Sequence, residues 1–392
     1  MSERSCSMSE PDRLFTPRFA LMFGFTFTVF LSAFQLFPTA PFHILALGGS
    51  QTEAGLFLGF LTYASALSAP LTGAVADRLG KRRVLLVCSS VIAVFSALYA
   101  VAPSYQVMLG LVVVHGMFWS GLLSASGAYV TDLVPPSRRA EGLSYWGFAS
   151  IIAVAMAPSI GLWVFDHGGW SALCIEATVL NIVMALIAWR LPADVARGHA
   201  MPKRVQDLVE WRVLVLGVTL FLYSFSYGGI TSFAALHAEQ QGVEPRAIYF
   251  TAFAIAIIFT RPFIARYADE VGHQKVIIPC LMAVVAGVAL LSMATTRTGF
   301  LVSAFVFGTG FGSAYPIFVA HLMKKVDNQR RGATFGALIG AFDTGIGTGS
   351  ITLGWIGEHY GLSRAFAVAA SLAALSIPYY LWARRTRAEL KD

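Results

Sequence analysis

Long apolar segments fill almost the whole chain, and they limit what it can fold into. A helix that crosses a bilayer needs roughly 20 mostly apolar residues. Inside hydrocarbon every backbone donor and acceptor must be satisfied within the protein, which leaves helices or closed barrels. The segments are too continuous for barrel strands, which alternate apolar and polar residues over about ten positions. We therefore predict twelve membrane-spanning helices, with approximate limits 18–44, 52–77, 82–102, 105–133, 141–165, 170–191, 210–237, 246–269, 274–295, 299–323, 331–357 and 363–384.

The composition excludes an ordinary soluble enzyme. Only 12% of the 392 residues are charged and 56% are hydrophobic, whereas a soluble domain normally carries about 25% charged residues. The cysteines show no paired spacing, so we expect neither a disulfide framework nor a metal cluster. The sequence has no phosphate-binding loop, so ATP is not the expected energy source. We predict that the protein is not an enzyme and uses no cofactor and no metal.

The positive charge of the chain is a topology signal. With the first span leaving the cytoplasm, 24 of the 28 Lys and Arg residues fall on the inner side and three on the outer side. Arg261 alone lies within a span. Cytoplasmic loops carry such an excess of Lys and Arg. We therefore predict cytoplasmic N- and C-termini, and we expect no nucleic-acid partner despite the net charge of +7.

An internal repeat divides the chain into two halves. Shifting the sequence by 192 residues superimposes similar residues without gaps, as a parallel repeat requires. The matching pairs are Pro70 and Pro262, Asp77 and Asp269, Gly80 and Gly272, Arg138-Arg139 and Arg330-Arg331, Trp163 and Trp355, and His167 and His359. We predict an N-terminal arm (1–17), a first six-helix bundle (18–191), a linker (192–209), a second six-helix bundle (210–384) and a tail (385–392).

A charged motif follows the second predicted span. It reads Gly73-Ala-Val-Ala-Asp77-Arg78-Leu-Gly80-Lys81-Arg82-Arg83 and resembles the G-x-x-x-D-R-x-G-R-R signature of the major facilitator superfamily. The equivalent segment of the second half keeps Asp269 and Gly272. The resemblance implies an all-α fold of two pseudo-symmetric six-helix bundles that moves a small solute by alternating access. It also implies a gating latch, whose residues would be Gly73, Asp77, Arg78, Gly80, Arg82, Asp269 and Gly272.

The direction of transport stays open at this point. In span 5, Pro158 and Gly161 are similar to part of the motif of antiporters, but Ala157 and Leu162 replace two of its glycines. Val112 of span 4 stands where proton-driven drug antiporters have an arginine. The leading hypothesis is proton-coupled efflux of a small organic solute. The alternative is uptake, by a symporter or facilitator for a metabolite, sugar or siderophore-type compound.

Ionisable residues within a span are expensive and are functional candidates by default. Asp343 lies near the middle of span 11, and Arg261 lies about 12 Å inside span 8. Their counterparts in the first half are Ile151 and Ala69, so these charges are additions to the shared scaffold. We predict that Asp343 takes up the coupling proton and that Arg261 modulates it or contacts an anion. A static buried pair is the alternative.

Other polar residues suggest a solute cavity between the halves. In the family resembled here, spans 1, 4, 7 and 10 line that cavity. His115 is either a second proton carrier or a helix–helix hydrogen bond, and Glu176 is expected to reach water near the outer surface. We read the glycines of span 11, Gly336, Gly340, Gly345 and Gly349, as packing at the interface between the halves. The predicted lining residues are Gln35, Trp119, Tyr223, Tyr227 and Tyr315.

The resemblance also sets expectations for partners and location. A major facilitator of this kind would be a multi-pass monomer in a bacterial inner membrane. Its partners would be the lipid bilayer, a small solute and protons.

Overall fold

The computed structural model describes residues 14–193, 211–323 and 331–389. Parts of the predicted arm, linker and tail therefore lie outside the described residues, and the domain limits stay predictions. The described residues form α-helices joined by short loops and one turn of 3-10 helix, Pro136–Arg138. The helices are α1 (Pro17–Ala46), α2 (Gln51–Leu79), α3 (Lys81–Ala100), α4 (Tyr105–Leu133), α5 (Arg139–Arg190), α6 (Trp211–Gln240), α7 (Ile248–Val271), α8 (His273–Met293), α9 (Arg297–Met323), α10 (Arg331–Tyr360) and α11 (Leu362–Glu389).

Helix α5 contains two predicted spans. Gly169 interrupts it with φ 71° and ψ −174°, a conformation that an L-residue rarely adopts. The break separates a first arm (139–168) from a second arm (170–190). Gly361, 192 residues later, has φ 88° and separates α10 from α11 in the same way.

The membrane-spanning character of the helices agrees with the sequence. Nine of the described helices, all except α6 and α10, are long and apolar enough to cross a bilayer. The apolar segment within α5 covers 50 residues. The total of twelve spans stays a prediction.

The repeat is visible in the backbone as well as in the sequence. Gly80 ends α2 with φ 94° and ψ 136°, and Gly272 ends α7 with φ 95° and ψ 133°. The ring nitrogen Nδ1 of His167 lies 2.8 Å from the carbonyl oxygen of Trp163, and the matching distance from His359 to Trp355 is 2.9 Å. The offset of 192 residues therefore describes three-dimensional structure.

The bundle has two ends that differ in charge. We call one the basic end, because the α2–α3 turn at Gly80 lies there with Arg78 and the run Lys81-Arg82-Arg83. The turn between α7 and α8 lies at the same end. The opposite end carries the α1–α2 and α6–α7 loops and the breaks at Gly169 and Gly361.

Glycines hold α10 against two different helices. A Cβ atom on Gly349 would collide with the carbonyl oxygen of Phe225 in α6, and one on Gly345 would collide with Ser224. Both glycines therefore pack within the second half, and the prediction that they lie between the halves was wrong. Gly347 instead faces the first half, where its Cβ would lie 2.5 Å from Oγ1 of Thr62.

We expect Gly349→Ala to lower the free energy of unfolding by about 1–3 kcal/mol, because the added methyl group forces the backbones of α6 and α10 apart. The matched control is Gly340→Ala on the same helix, where an added Cβ meets nothing within 4 Å. Thermal unfolding of the purified protein in detergent compares the two. Equal midpoints for both variants would contradict this account of the α6–α10 contact.

Candidate functional site

The two halves meet along α2 and α10. Ser350 Oγ donates to the carbonyl oxygen of Gly55 at 2.9 Å, and the hydroxyls of Tyr63 and Thr348 lie 2.7 Å apart. The contact nearest the basic end in this series is the hydrogen bond from Ser65 Oγ to Asp343 Oδ2, at 3.3 Å. The helices run antiparallel and share this interface from the opposite end to about their middle.

Beyond Asp343 the two helices separate. A Cβ added to Gly73 of α2 or to Gly340 of α10 would meet no atom within 4 Å. Asp343 therefore lies half-buried where α2 and α10 diverge.

Two carboxylates close the opposite end. Asp166, at the end of the first arm of α5, forms an ion pair with Arg246, which precedes α7. Arg246 also binds Glu239 at 2.9 Å and lies 4.7 Å above the ring of Phe42. These contacts join α1 and α5 of the first half to the second half.

The second carboxylate makes the reciprocal contact. Glu358, near the end of α10, accepts hydrogen bonds from the backbone nitrogen of Thr52 at 3.0 Å and from its hydroxyl at 2.5 Å. Asp166 and Glu358 are 192 residues apart, so each half contributes one acid to the start of a helix in the other. We call this set of contacts the carboxylate clamp. Sequence reasoning missed it, although the repeat offset pairs these two acids beside the matched histidines.

Arg261 and Asp343 do not form an ion pair with each other. Among the described residues, no carboxylate lies within 4.0 Å of the Arg261 guanidinium, and Asp343 has no basic partner within that distance. The static pair is therefore not formed in this conformation. Arg261 is partly exposed, and so is Tyr315, whose ring lies 4.9 Å from that of Phe342 beside Asp343.

The residues of the predicted latch lie at the basic end. Asp77 and Arg78 are exposed at the end of α2, and the side chain of Asp269 lies outside the described ones, so the latch stays a prediction. Arg82 donates to the carbonyl oxygens of Ala188 and Trp189, the last turn of α5, where a cation complements the helix dipole. In this state Arg82 therefore fixes the second arm of α5 within the first half. Lys81 forms an ion pair with Asp132 of α4.

Aromatic rings fill the second half near its axis. Tyr223 is buried, stacks on Phe311 at 4.7 Å and donates to the carbonyl oxygen of that residue at 2.6 Å. Tyr227 stacks on the same ring at 4.2 Å. In the first half Trp119 meets Phe30 edge to face at 5.5 Å. Of the predicted lining tyrosines, Tyr315 alone is partly exposed.

His115 and Gln35 face the interior of the first half. The Nδ1 atom of His115 lies 3.1 Å from the hydroxyl of Tyr99 in α3, the arrangement of a helix–helix contact. Gln35 donates from Nε2 to Glu176 Oε1 at 3.3 Å. Glu176, which was expected to reach water, is half-buried, and its Oε2 atom is buried. A site shared by Gln35 and Tyr227 across the axis stays a prediction.

The antiporter-like motif touches the same glutamine. A Cβ on Gly161 would lie 2.8–2.9 Å from atoms of Gln35, so only glycine lets α5 approach α1 this closely. Pro158 lies one turn earlier in the first arm of α5.

Comparison with known proteins now identifies the family. The sequence profile of the Major Facilitator Superfamily matches residues 22–336 and 216–392. The chain belongs to the major facilitator superfamily. It is therefore a multi-pass membrane transporter, since members of this superfamily move small solutes across membranes.

Bacterial relatives resemble the chain over most of its length. The uncharacterized MFS-type transporter YhhS of Escherichia coli (strain K12) is 24% identical over 340 residues, which cover 84% of this chain and 83% of the relative. YhhS of Salmonella typhimurium (strain LT2) is 24% identical over 341 residues, with 85% and 84% covered.

Solved structures share the fold at low sequence identity. A bacterial homolog of the human lysosomal transporter Spinster, in an inward-facing and unoccupied conformation, gives a TM-score of 0.78 at 15% identity and covers 95% of this chain and 98% of its own. The nucleoside transporter NupG gives 0.71 at 17%, with 96% and 100% covered. The human organic anion transporter MFSD10 gives 0.73 at 18%, with 95% and 100% covered. These similarities show the major facilitator fold.

We expect Arg246→Gln to open the opposite end, because it removes two ion pairs and a cation–π contact of the carboxylate clamp. The groups are partly exposed, so we estimate a loss of about 1–2 kcal/mol, or roughly a five- to thirtyfold rise in the open fraction. Spin labels at Val101 and Thr295, exposed at this end in different halves, report the change as longer distances. Arg297→Gln, which changes an exposed arginine at the same end, is the control and should leave the distances unchanged.

Proposed function

We propose that the protein is a proton-coupled exporter that moves a small organic solute by alternating access. The excess of Lys and Arg on one side supports an orientation with the basic end in the cytoplasm. In that orientation the conformation described here is closed to the outside and parted toward the cytoplasm. A monomer in a bacterial inner membrane is part of the same proposal.

The position of Asp343 is the observation that carries the proposal. To close the basic end, α2 and α10 must come together beyond the Ser65–Asp343 contact. Closure would then remove water from a carboxyl group that has no basic partner among the described residues. A neutral carboxylic acid enters such a dry interface at far lower cost than a carboxylate. Proton uptake at Asp343 would therefore permit closure, and proton release would favour the parted state.

Tyr315, beside Asp343, and Arg261 of α7 suggest the kind of solute. The partly exposed Tyr315 offers an aromatic face beside Asp343, and Arg261 offers a cation without a carboxylate partner among the described residues. Pockets that combine aromatic surface with few polar groups suit amphipathic organic molecules. We propose a solute of this class, with Arg261 as the contact for any anionic group.

The latch would form in the alternate state. Closing the basic end would bring the exposed Asp77 and Arg78 toward the second half, where Asp269 and Gly272 form the equivalent turn. We propose that Asp77 and Arg78 then stabilise the state that is open to the outside, while Arg82 keeps α3 on α5.

Uptake is the second candidate. Val112, at the position where drug–proton antiporters have an arginine, is fully buried in α4 and cannot relay a proton. A symporter or facilitator would also use Asp343 and the same two states. The sign of the proton movement that accompanies solute movement distinguishes the two candidates.

We expect Asp343→Asn to abolish the dependence of transport on an imposed pH gradient, because an amide cannot take up a proton at physiological pH. The measurement is solute flux in proteoliposomes of defined orientation, with pH gradients of both signs. Glu270→Gln, which removes an exposed carboxylate at the basic end, is the control and should keep the dependence. An Asp343→Asn variant that transports with the same pH dependence as wild type would refute the coupling role.

We expect Gly340→Leu to block transport at least tenfold while leaving the folded protein intact. In the present conformation the added side chain has open space, but closing the α2–α10 interface beyond Asp343 would press it against α2. The variant should therefore accumulate with the basic end parted. Distances between spin labels at Arg83 and Glu270, exposed at this end in different halves and outside the proposed latch, measure this state. Normal flux with an unchanged distance distribution would show that α2 and α10 do not close here.

A further inference from the structure

Gln35 and Glu176 form a polar pair that the coupling at Asp343 does not use. Gln35 is 1% exposed and lies in α1, while Glu176 lies in the second arm of α5. One hydrogen bond joins them, from Gln35 Nε2 to Glu176 Oε1 at 3.3 Å. The two remaining oxygens, Gln35 Oε1 and Glu176 Oε2, are both buried and have no hydrogen-bond partner.

The unpaired oxygens point to a missing proton. An amide oxygen and both oxygens of a carboxylate are acceptors only, so the ionised pair leaves two buried acceptors without a donor. Buried polar atoms are nearly always hydrogen-bonded, and each exception needs an explanation. A proton on Glu176 Oε2 changes that atom from an acceptor into a donor and removes the charge. The protonated Oε2 atom can then donate to the other unpaired oxygen, Oε1 of Gln35, because the amide of Gln35 already contacts this carboxyl group.

No nearby cation offers another solution among the described residues. Glu176 has no Lys, Arg or His nitrogen within 4.0 Å. The basic groups on the helices packed around it are engaged elsewhere or lie at the helix ends, and Cys88 and Cys174 are free, buried thiols without charge. His43 stacks on Trp170 at the opposite end, and Tyr99 and His115 bond to each other. The other titratable or charged groups with described side chains on α1, α3, α4 and α5 are Arg18, Lys81, Arg82, Arg83, Cys88, Tyr105, Tyr129, Asp132, Glu141, Tyr145, Asp166, His167, Cys174 and Arg190.

We propose that Glu176 and Gln35 form a second proton-binding site, inside the first half and separate from Asp343. The bound proton makes Glu176 a neutral acid that both accepts from and donates to the amide of Gln35. Proton binding at this pair is inferred from its hydrogen bond and its two unpaired oxygens alone. Its link to solute movement rests on the proposed function.

The pair is placed where proton binding can affect the packing of the halves. Gly161 of the first arm of α5 packs directly on Gln35. Two residues away, Ser159 bonds to Thr251 of α7 in the second half, with 2.9 Å between the hydroxyl oxygens. A change in the Gln35 side chain therefore acts next to a contact between the halves.

Infrared difference spectroscopy during a pH titration of the full chain tests the proposal. Protonated carboxylic acids give a C=O stretching band that shifts in deuterated water. We expect Glu176→Gln to remove one such component from the wild-type spectrum, and Glu270→Gln to remove none. Asp343→Asn should retain the Glu176 component, so the result does not depend on whether Asp343 couples transport. A wild-type spectrum whose protonated-acid bands are unchanged by Glu176→Gln would overturn the proposal.

A second variant covers the case in which Glu176→Gln fails to fold. Gln35→Leu keeps the carboxyl group but removes its hydrogen-bond partner, so the Glu176 component should move to higher frequency. An unchanged band in folded Gln35→Leu would overturn the pairing. For the link to transport, Glu176→Gln should change the ratio of protons to solute moved. If that ratio stays at the wild-type value while the infrared component is lost, the site exists but the proposed link to transport is wrong.

Discussion

The packing of α2 against α10 is the contact on which the rest of the arrangement depends. Small residues, among them Gly55 and Gly347, let the two helices touch closely over half of their length. The contact ends at Ser65 and Asp343, so one end of the molecule is sealed while the other is parted. In the proposed cycle, the carboxyl group at the point of separation would meet water in one state and protein in the other. This difference in surroundings would let a proton influence the conformation.

The fold was predictable from two features of the sequence. The length of the apolar segments indicated the helices, and the repeat offset of 192 residues indicated the two halves. The structure repeats that offset in the dihedral angles of Gly80 and Gly272 and in the histidine contacts of His167 and His359. These dihedral angles and contacts depend on local backbone geometry, and a residue type such as glycine indicates that geometry in the sequence.

The partners of individual side chains were not predictable in the same way. Which face of a helix meets which neighbour depends on rotations and tilts that the sequence pattern does not encode. The hydrogen bond from Gln35 to Glu176 and the contact of His115 with Tyr99 were not predicted. Asp166 and Glu358 are a different case, since the repeat offset already related them. Their contacts across the halves could have been sought from that relation.

The carboxylate clamp also makes the two faces of the protein respond differently to their surroundings. Its ionic groups are partly exposed, so dissolved salt reaches them and weakens their attraction, over a screening length of about 10 Å at 0.1 M. The polar contacts at the point where α2 and α10 separate are shielded by the helices and are much less affected. Raising the ionic strength on one side of the membrane would therefore favour unsealing, whereas the same change on the other side would not. The two ends of the protein are therefore expected to differ in their response to the salt content of the medium.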